Sequence, residues 1–204
     1  MTAVSDLIPP AGLCITGHAP ADGGAAVLVS PDEPGFWSLF TASPEYGDGL
    51  PDPMDRWSKR IIGTWAAELG VPAVFPSDGP PYPPFAAWAL ASGRCFSSPI
   101  GMLVHDRMGL FISFRGALIL PQPPPESPAQ PSPCAKCHQP CLTACPAGAF
   151  RPAYDTRACH AHLNQIAGQD CLSMGCIARR ACPISQGCGR LPEQSAWHMR
   201  AFHP

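Results

Sequence analysis

The sequence predicts an α+β protein in two parts, an N-terminal domain built on an antiparallel sheet and a small cysteine-rich module. Nine of the eleven cysteines fall between Cys134 and Cys188. A proline-rich segment, residues 121–133, ends directly before Cys134. Short apolar runs separated by turn residues come before it, a pattern typical of antiparallel sheets with helices on one side. We therefore assign residues 1–120 to an α+β domain, residues 121–133 to a polyproline-like linker and residues 134–204 to the module.

Apolar runs predict the strands of the N-terminal domain. Residues 25–30 and 36–42 are short enough to be strands. Residues 101–105 and 110–120 are also apolar, and the sequence Asp106-Arg-Met-Gly109 between them is a turn signal. These two runs therefore predict a hairpin.

Capping and stop signals predict two helices in the same domain. Residues 52–69 have Asp52 as a candidate cap, Pro53 at the first helical position and Gly70 as a stop. Residues 84–92 predict a second, shorter helix. The first helix has an apolar face at four-residue spacing, formed by Trp57, Ile61, Trp65 and Leu69.

Charge and hydropathy exclude several classes of protein. The formal net charge is −2 and no basic block is present, so the sequence offers no electrostatic case for nucleic acid. The N-terminus lacks the basic start and apolar run of a secretory signal. The most apolar stretch, residues 100–120, is interrupted by charged side chains, which argues against a membrane span. We therefore expect a reducing, cytoplasmic location, in which clustered cysteines favour metal over disulfides.

The sequence Cys134-Ala-Lys-Cys-His-Gln-Pro-Cys-Leu-Thr-Ala-Cys-Pro146 is the strongest functional signal. It resembles the bacterial ferredoxin motif C-x2-C-x2-C-x3-C-P, with three residues instead of two between Cys137 and Cys141. A cubane cluster needs four thiolates around one small volume, and closely spaced cysteines let one loop supply three of them. The resemblance implies [4Fe–4S] clusters and a ferredoxin-like fold for the module.

Five further cysteines suggest a second cluster. In two-cluster ferredoxins the cysteine that precedes proline binds the opposite cluster. The resemblance then implies a first cluster held by Cys134, Cys137, Cys141 and Cys182. It implies a second cluster held by Cys145, Cys159, Cys171 and Cys176. Cys188 is left over, and the alternative is that Cys188 replaces Cys171.

Other interpretations of these residues remain open. Structural zinc is also held by C-x2-C pairs, so a zinc-stabilised interaction module is an alternative to an iron–sulfur protein. Nearby imidazoles are further candidate ligands, although histidine in a cysteine-rich loop is more often outside the metal shell; they are His138, His160 and His162. The two early cysteines, Cys14 and Cys95, are interpreted as small buried hydrophobic residues.

The segment from Tyr154 to Leu163, with Gly175-Cys176 and Cys182-Pro183 after it, resembles the ferredoxin part of epoxyqueuosine reductases. That family pairs two [4Fe–4S] clusters with a corrinoid domain. Its isolated middle cysteine corresponds to Cys159, and its closing Cys-Pro corresponds to Cys182. One further cysteine of the family has no counterpart in this sequence, so Cys171 is assigned in its place.

Residues 99–121, PIGMLVHDRMGLFISFRGALILP, resemble the cobalamin-binding stretch of CblC-type cobalamin-processing proteins. The resemblance implies a CblC- or nitroreductase-like N-terminal domain that binds cobalamin or another corrinoid, with His105 and Arg115 as candidate contacts. A packed histidine beside a turn is the other interpretation of His105. The sequence shows no counterpart of the acidic proton donor of epoxyqueuosine reductases, so no catalytic residue is assigned.

Together these features predict a two-cluster electron-transfer protein that acts on a corrinoid or on a redox partner protein. The alternative that the resemblances imply is an oxidoreductase of the epoxyqueuosine-reductase or cobalamin-reducing type.

Overall fold

The computed structural model describes residues 4–123 and 130–204 and shows a mixed α and β chain with a four-stranded antiparallel sheet. The chain divides into two compact units. The first, here the sheet unit, comprises Met1–Cys95 and Ser113–Gln130. The second, here the cysteine unit, comprises Phe96–Ile112 and Pro131–Pro204.

The strands are short except for the first hairpin. In the described residues they are β1 (Leu13–Ala21), β2 (Gly24–Pro31), β3 (Ala73–Val74), β4 (Cys95–Ser97), β5 (Leu103–His105) and β6 (Gly116–Leu120). One sheet has the order β1-β2-β6-β3, and β4 pairs with β5 separately. In the larger sheet, β2 pairs with β6 from Ala25 opposite Leu120 to Val29 opposite Gly116.

The helices of the sheet unit are α1 (Gly35–Thr41), α2 (Pro44–Gly47), α3 (Pro53–Leu69) and α4 (Phe85–Ala91). Those of the cysteine unit are α5 (Cys141–Ala144), α6 (Thr156–Leu163), α7 (Gln169–Met174), α8 (Ile177–Arg180), α9 (Pro183–Gln186) and α10 (Pro192–Phe202). Within the described ranges, no helix combines the length and the apolar character that crossing a bilayer requires.

Helix α3 is close to the predicted helix over residues 52–69. Pro53 occupies its first turn, and Gly70 ends it in a left-handed conformation with a φ of 67°. The side chain of Asp52, the predicted cap, makes no hydrogen bond to the helix end in the described structure. Helix α4 likewise matches the helix expected over residues 84–92.

The strand predicted for residues 36–42 is wrong, because this segment is helix α1. Phe36, Trp37 and Phe40 are buried, whereas the two residues between Trp37 and Phe40 are exposed. That alternation fits the helical period, since a strand would turn residue 38 to the same side as residues 36 and 40. The ring of Trp57 on α3 packs edge-on against Phe36, with 5.3 Å between centroids, and this contact joins α1 to α3.

The hairpin predicted from residues 101–105 and 110–120 is only partly present. His105 does bridge to Gly109 across a tight turn. The following residues do not pair with β5, because the backbone N–H of Leu110 donates to Ser185 Oγ and Arg190 donates to the carbonyl of Phe111. Only residues 116–120 become a strand, and that strand, β6, belongs to the sheet unit.

Residues 96–112 therefore belong to the cysteine unit, although the predicted boundary placed them in the N-terminal domain. The physical reason is hydrophobic, since Ile100, Val104 and Leu110 supply part of the core of the cysteine unit. Its other buried members are Cys141, Phe150, Ala178 and Cys182. Of the predicted linker, residues 124–129 lie outside the described residues.

Candidate metal centres

Four thiols of the cysteine unit line one cavity and form the first thiol group: Cys134, Cys137, Cys141 and Cys182. The space between the surrounding atoms is about 260 Å³, including the part open to solvent. Most of the other walls are apolar; they are Ser98, Pro99, Val104, Leu110, Gln139, Pro140 and Pro183. These four cysteines are the ones that the sequence assigns to the first cluster.

Four other thiols line a separate cavity and form the second thiol group: Cys145, Cys159, Cys171 and Cys176. This cavity has about 340 Å³ of space between atoms, again including the open part. Its other walls are Pro146, Ala147, Phe150, His162, Leu163, Ile177, Ala178 and Met199. Cys171 lies in this wall, whereas Cys188 follows α9 and lines neither of the two cavities in the described part of the chain.

The short helices α5 and α8 pack against each other and connect the two groups. Cys141 begins α5 and belongs to the first group, and Cys145 directly after α5 belongs to the second. Cys176 directly before α8 belongs to the second group, and Cys182, two residues after α8, belongs to the first. Because the start of each helix shares a cavity with the end of the other, the two helices run antiparallel and the chain crosses between the groups twice.

Local sequence explains how several thiols reach these positions. Pro183 occupies the first turn of α9, a place that suits proline, and the chain therefore turns into the helix directly after Cys182. Asp155 caps α6 by accepting the N–H of Ala158 at 3.0 Å. The cap fixes where α6 begins and so places Cys159 within it.

The first thiol group is electrostatically coupled. Burial raises the pKa of Cys134, and negative charge on Cys137 and Cys182 raises it further. Burial also raises the pKa of Cys141, with added repulsion from the other three thiolates. The Gln139 N–H donates a hydrogen bond to Cys137 Sγ at 3.3 Å. Four thiolates that repel one another in a partly buried space are a donor set whose repulsion a bound cation relieves.

The second group behaves in the same way. Burial raises the pKa of Cys159 and of Cys171, and negative charge on Cys176 raises both further. Repulsion from Cys145 also acts on Cys159. The mutual effects show that these four sulfur atoms are close enough to interact, although the residues span 31 positions from 145 to 176.

Tyr154 supports the second group from outside the cavity wall. The interaction of its hydroxyl with Cys159 lowers the pKa of that thiol against the effect of burial. Burial and the negative charge of Cys159 raise the pKa of Tyr154 well above its usual value, so the phenol stays a hydrogen-bond donor. Its ring stacks on Phe150 with 4.8 Å between centroids, which holds the hydroxyl in place.

Two kinds of metal site are compatible with clustered cysteines. In the described residues, no three His, Cys, Asp or Glu side chains are arranged to hold one metal ion. A structural zinc ion is held by thiolate sulfurs about 2.3 Å from a single centre. A four-iron cluster instead binds each thiolate through a different iron, so its ligands must surround a volume. Each thiol group surrounds a cavity in this way, and the residues present fit a [4Fe–4S] cluster.

Comparisons with protein-family models, with curated proteins and with solved structures give no match. The assignment of the two thiol groups therefore depends on their own geometry and chemistry. All eleven cysteines lie within the described residues, and none of them is in a disulfide.

The two candidate corrinoid contacts lie in different units. His105 ends β5 in the cysteine unit and is 1% exposed. Its Nδ1 accepts the backbone N–H groups of Arg107 and Met108 at 3.1 and 3.2 Å, which is the geometry of a turn-flanking histidine. Arg115 lies in the sheet unit directly before β6, and its backbone N–H donates to Val29 at 2.8 Å.

The three histidines near the cysteines have different surroundings. His138 is exposed in the loop after Cys137. His160 stacks on Phe202, and its Nδ1 lies 2.6 Å from Nδ1 of His203. His162 is in the wall of the second cavity, whereas the described walls of the two cavities contain neither His138 nor His160.

Sequence reasoning missed several contributors to the site. Val104 and Leu110 line the first cavity, although they lie 24 or more residues before Cys134. Their stretch of sequence has the pattern of a hairpin and gives no sign of this position. The hydroxyl contact of Tyr154 was also missed, although the sequence contains a usable signal. Tyr154 precedes the Asp155 helix cap and lies five residues before Cys159, close enough to reach back to it.

Proposed function

We propose that this protein binds two [4Fe–4S] clusters, one in each thiol group, and acts in electron transfer. The observation that carries the proposal is the pair of cavities, each lined by four cysteines, with the chain crossing between them at both ends of α5 and α8. The same crossing is characteristic of two-cluster ferredoxins, in which the cysteine before proline serves the opposite cluster. We accordingly propose a ferredoxin-like arrangement for the cysteine unit.

In this proposal the clusters, when bound, accept and release single electrons at potentials set by their surroundings. The residues of the chain provide the thiolates, position them and control access by water. Apolar walls from Val104, Leu110, Phe150 and Leu163 limit solvent at the two cavities. The N–H of Gln139 and the hydroxyl of Tyr154 stabilise negative charge on two of the sulfur ligands.

The proposed acceptor of the electrons is a partner reductase or a corrinoid. Support for the corrinoid comes from the resemblance of residues 99–121 to cobalamin-processing proteins, a stretch that is divided between the two units. Nδ1 of His105 is occupied by its own turn, so a corrinoid contact through this nitrogen would require the turn to change. An oxidoreductase of the epoxyqueuosine-reductase type remains the alternative within the same iron–sulfur proposal.

Metal analysis of anaerobically reconstituted protein tests the proposal. Two clusters give about eight iron and eight sulfide per chain, with broad absorbance near 400 nm. About four of each would show that the chain binds one cluster. Stoichiometric zinc without sulfide would favour the zinc-stabilised module. Cobalamin added to the same protein, followed by gel filtration and cobalt analysis, separates a corrinoid acceptor from a partner protein.

A further inference from the structure

A buried imidazole nitrogen in the second cavity has no partner. His162 is part of the cavity wall together with Cys145, Cys159, Cys171 and Cys176. Its Nε2 is shielded from solvent and has no hydrogen-bond partner among the residues that the structure describes. A buried polar nitrogen that stays unsatisfied is unfavourable, so such an atom calls for a hydrogen-bond partner.

The position of His162 on α6 explains why it reaches the cavity and its neighbour does not. Cys159 and His162 are three residues apart on this helix and therefore lie on the same face. His160 lies on another face, where it contacts Phe202 and His203. The helix thus presents one thiol and one imidazole to the second cavity.

We propose that His162 Nε2–H donates a hydrogen bond to a sulfur atom of the second cluster and raises the reduction potential of that cluster. This inference rests on the proposed function, because the acceptor is a thiolate or sulfide of the bound cluster. Hydrogen bonds to cluster sulfurs are among the factors that set the potential. Reduction adds negative charge to the cluster, and a donor stabilises the more negative state more strongly. His162 is then a positioning and tuning residue, and the four cysteines remain the ligands.

The arrangement makes the two clusters different. The wall of the second cavity contains an imidazole, and Cys159 also accepts the hydroxyl of Tyr154. The described walls of the first cavity contain no histidine or tyrosine. An imidazole donor would therefore act on the second cluster alone, whereas the first thiol group has the Gln139 N–H at Cys137.

A redox titration of the full, cluster-loaded chain tests this inference, with the reduced clusters followed by paramagnetic resonance. His162→Phe keeps an aromatic ring and removes the donor, and His162→Leu removes the donor with less bulk. His162→Gln retains an N–H donor. His160→Phe is the matched control on the same helix. Cys176→Ala identifies which of the two transitions belongs to the second cluster.

The expected result is selective. His162→Phe and His162→Leu lower the equilibrium constant for reduction of the second cluster about tenfold. This lowers its reduction potential by about 59 mV for a one-electron couple. His162→Gln recovers part of the shift, and His160→Phe leaves both potentials in place. Unchanged potentials in both donor-free variants, or equal shifts of both clusters, overturn the role of His162 while leaving the proposed function intact. Loss of iron from the second cluster in all three His162 variants would indicate that His162 is a ligand, and this result also overturns its role as a hydrogen-bond donor. If the wild-type protein binds no iron and sulfide on reconstitution, the proposed function itself is wrong.

Discussion

The backbone N–H of Leu110 donates a hydrogen bond to Oγ of Ser185 at 2.8 Å, across 75 positions of the chain. The preceding residue, Gly109, has a φ of 58° and packs so closely that a Cβ there would lie 2.4 Å from the Ser185 nitrogen. The turn after β5 is therefore docked on α9, the helix that follows Cys182. Through this contact a segment far from the cysteine motif helps to fix one thiol of the first thiol group, that of Cys182.

Ser185→Ala should weaken this docking. The substitution leaves the buried Leu110 N–H without its acceptor, and we expect a loss of about 1–3 kcal/mol in the free energy of unfolding. Urea unfolding of the cluster-loaded protein measures the effect. Ser173→Ala is the control, because Ser173 is exposed and its hydroxyl bonds within α7 to Gln169. Equal losses in the two variants would contradict a specific role for the Ser185 contact.

Leu110→Ala and Leu163→Ala form a reciprocal pair. Each leucine is 2% exposed, but Leu110 walls the first cavity and Leu163 walls the second. A buried leucine replaced by alanine typically costs 2–5 kcal/mol, roughly, and opens space for water. We expect Leu110→Ala to speed iron loss from the first cluster and Leu163→Ala to speed it from the second. The rates of iron release to a chelator, with paramagnetic resonance to identify the remaining cluster, provide the measurement. If both variants lose the same cluster first, the cavity walls are wrongly assigned.

The crossing of the chain predicts how cysteine variants behave. Cys182→Ala should lose the first cluster and leave the second largely formed, because Cys182 lines the cavity of Cys134, Cys137 and Cys141. Cys145→Ala should do the reverse, since Cys145 lines the other cavity. Iron counts and paramagnetic resonance of the reduced variants measure both outcomes.

Two further substitutions serve as controls for the cysteine set. Cys188→Ala should keep both clusters, whereas Cys171→Ala should lose the second. The opposite pattern would place Cys188 in the second cluster. If Cys182→Ala retains both clusters, the crossed topology fails.

The sheet unit contains an ion pair whose effect on stability depends on pH. Arg60 donates to both carboxylate oxygens of Glu45, at 2.5 and 2.8 Å, and these hydrogen bonds lower the pKa of Glu45 to about 2. A carboxyl whose pKa is lowered by folding stabilises the folded state above its unfolded pKa, about 4.3. That stabilisation is lost as pH falls from about 4.3 towards 2. Arg60 is half exposed, so solvent screens the pair and keeps its contribution modest.

Glu45→Gln should therefore lower the free energy of unfolding of the sheet unit near pH 7. Below about pH 4 the free energies of the variant and the wild type should become more similar. Tryptophan fluorescence during urea unfolding at a series of pH values measures this, since Trp37, Trp57 and Trp65 all lie in the sheet unit. Glu68→Gln, at an exposed position of the same helix as Arg60, is the control. A difference between wild type and Glu45→Gln that stays constant from pH 7 to pH 3 would contradict the prediction.

The sequence predicts the two sets of cysteines better than it predicts the surroundings of those cysteines. Cysteine spacing and the Cys-Pro pairs carry information about which thiols share a volume, and the structure gathers the same two sets of four. The docking of residues 96–112 could not be read from the pattern, because an apolar run before a turn fits a hairpin equally well. Helix α1 was missed for a related reason, since seven residues are too few to separate the helical from the strand period. The unpartnered nitrogen of His162 depends on the packing of α6 and leaves no trace in composition or spacing.

Under the proposed function, the antiparallel pair of α5 and α8 would also set how far an electron travels between the two clusters. Each helix has four residues and is therefore roughly 6 Å long. The cavities lie at opposite ends of this pair, so the proposed clusters would bind at opposite ends of two short helices. Such a short interval suits direct tunnelling from one centre to the other, without an intermediate carrier.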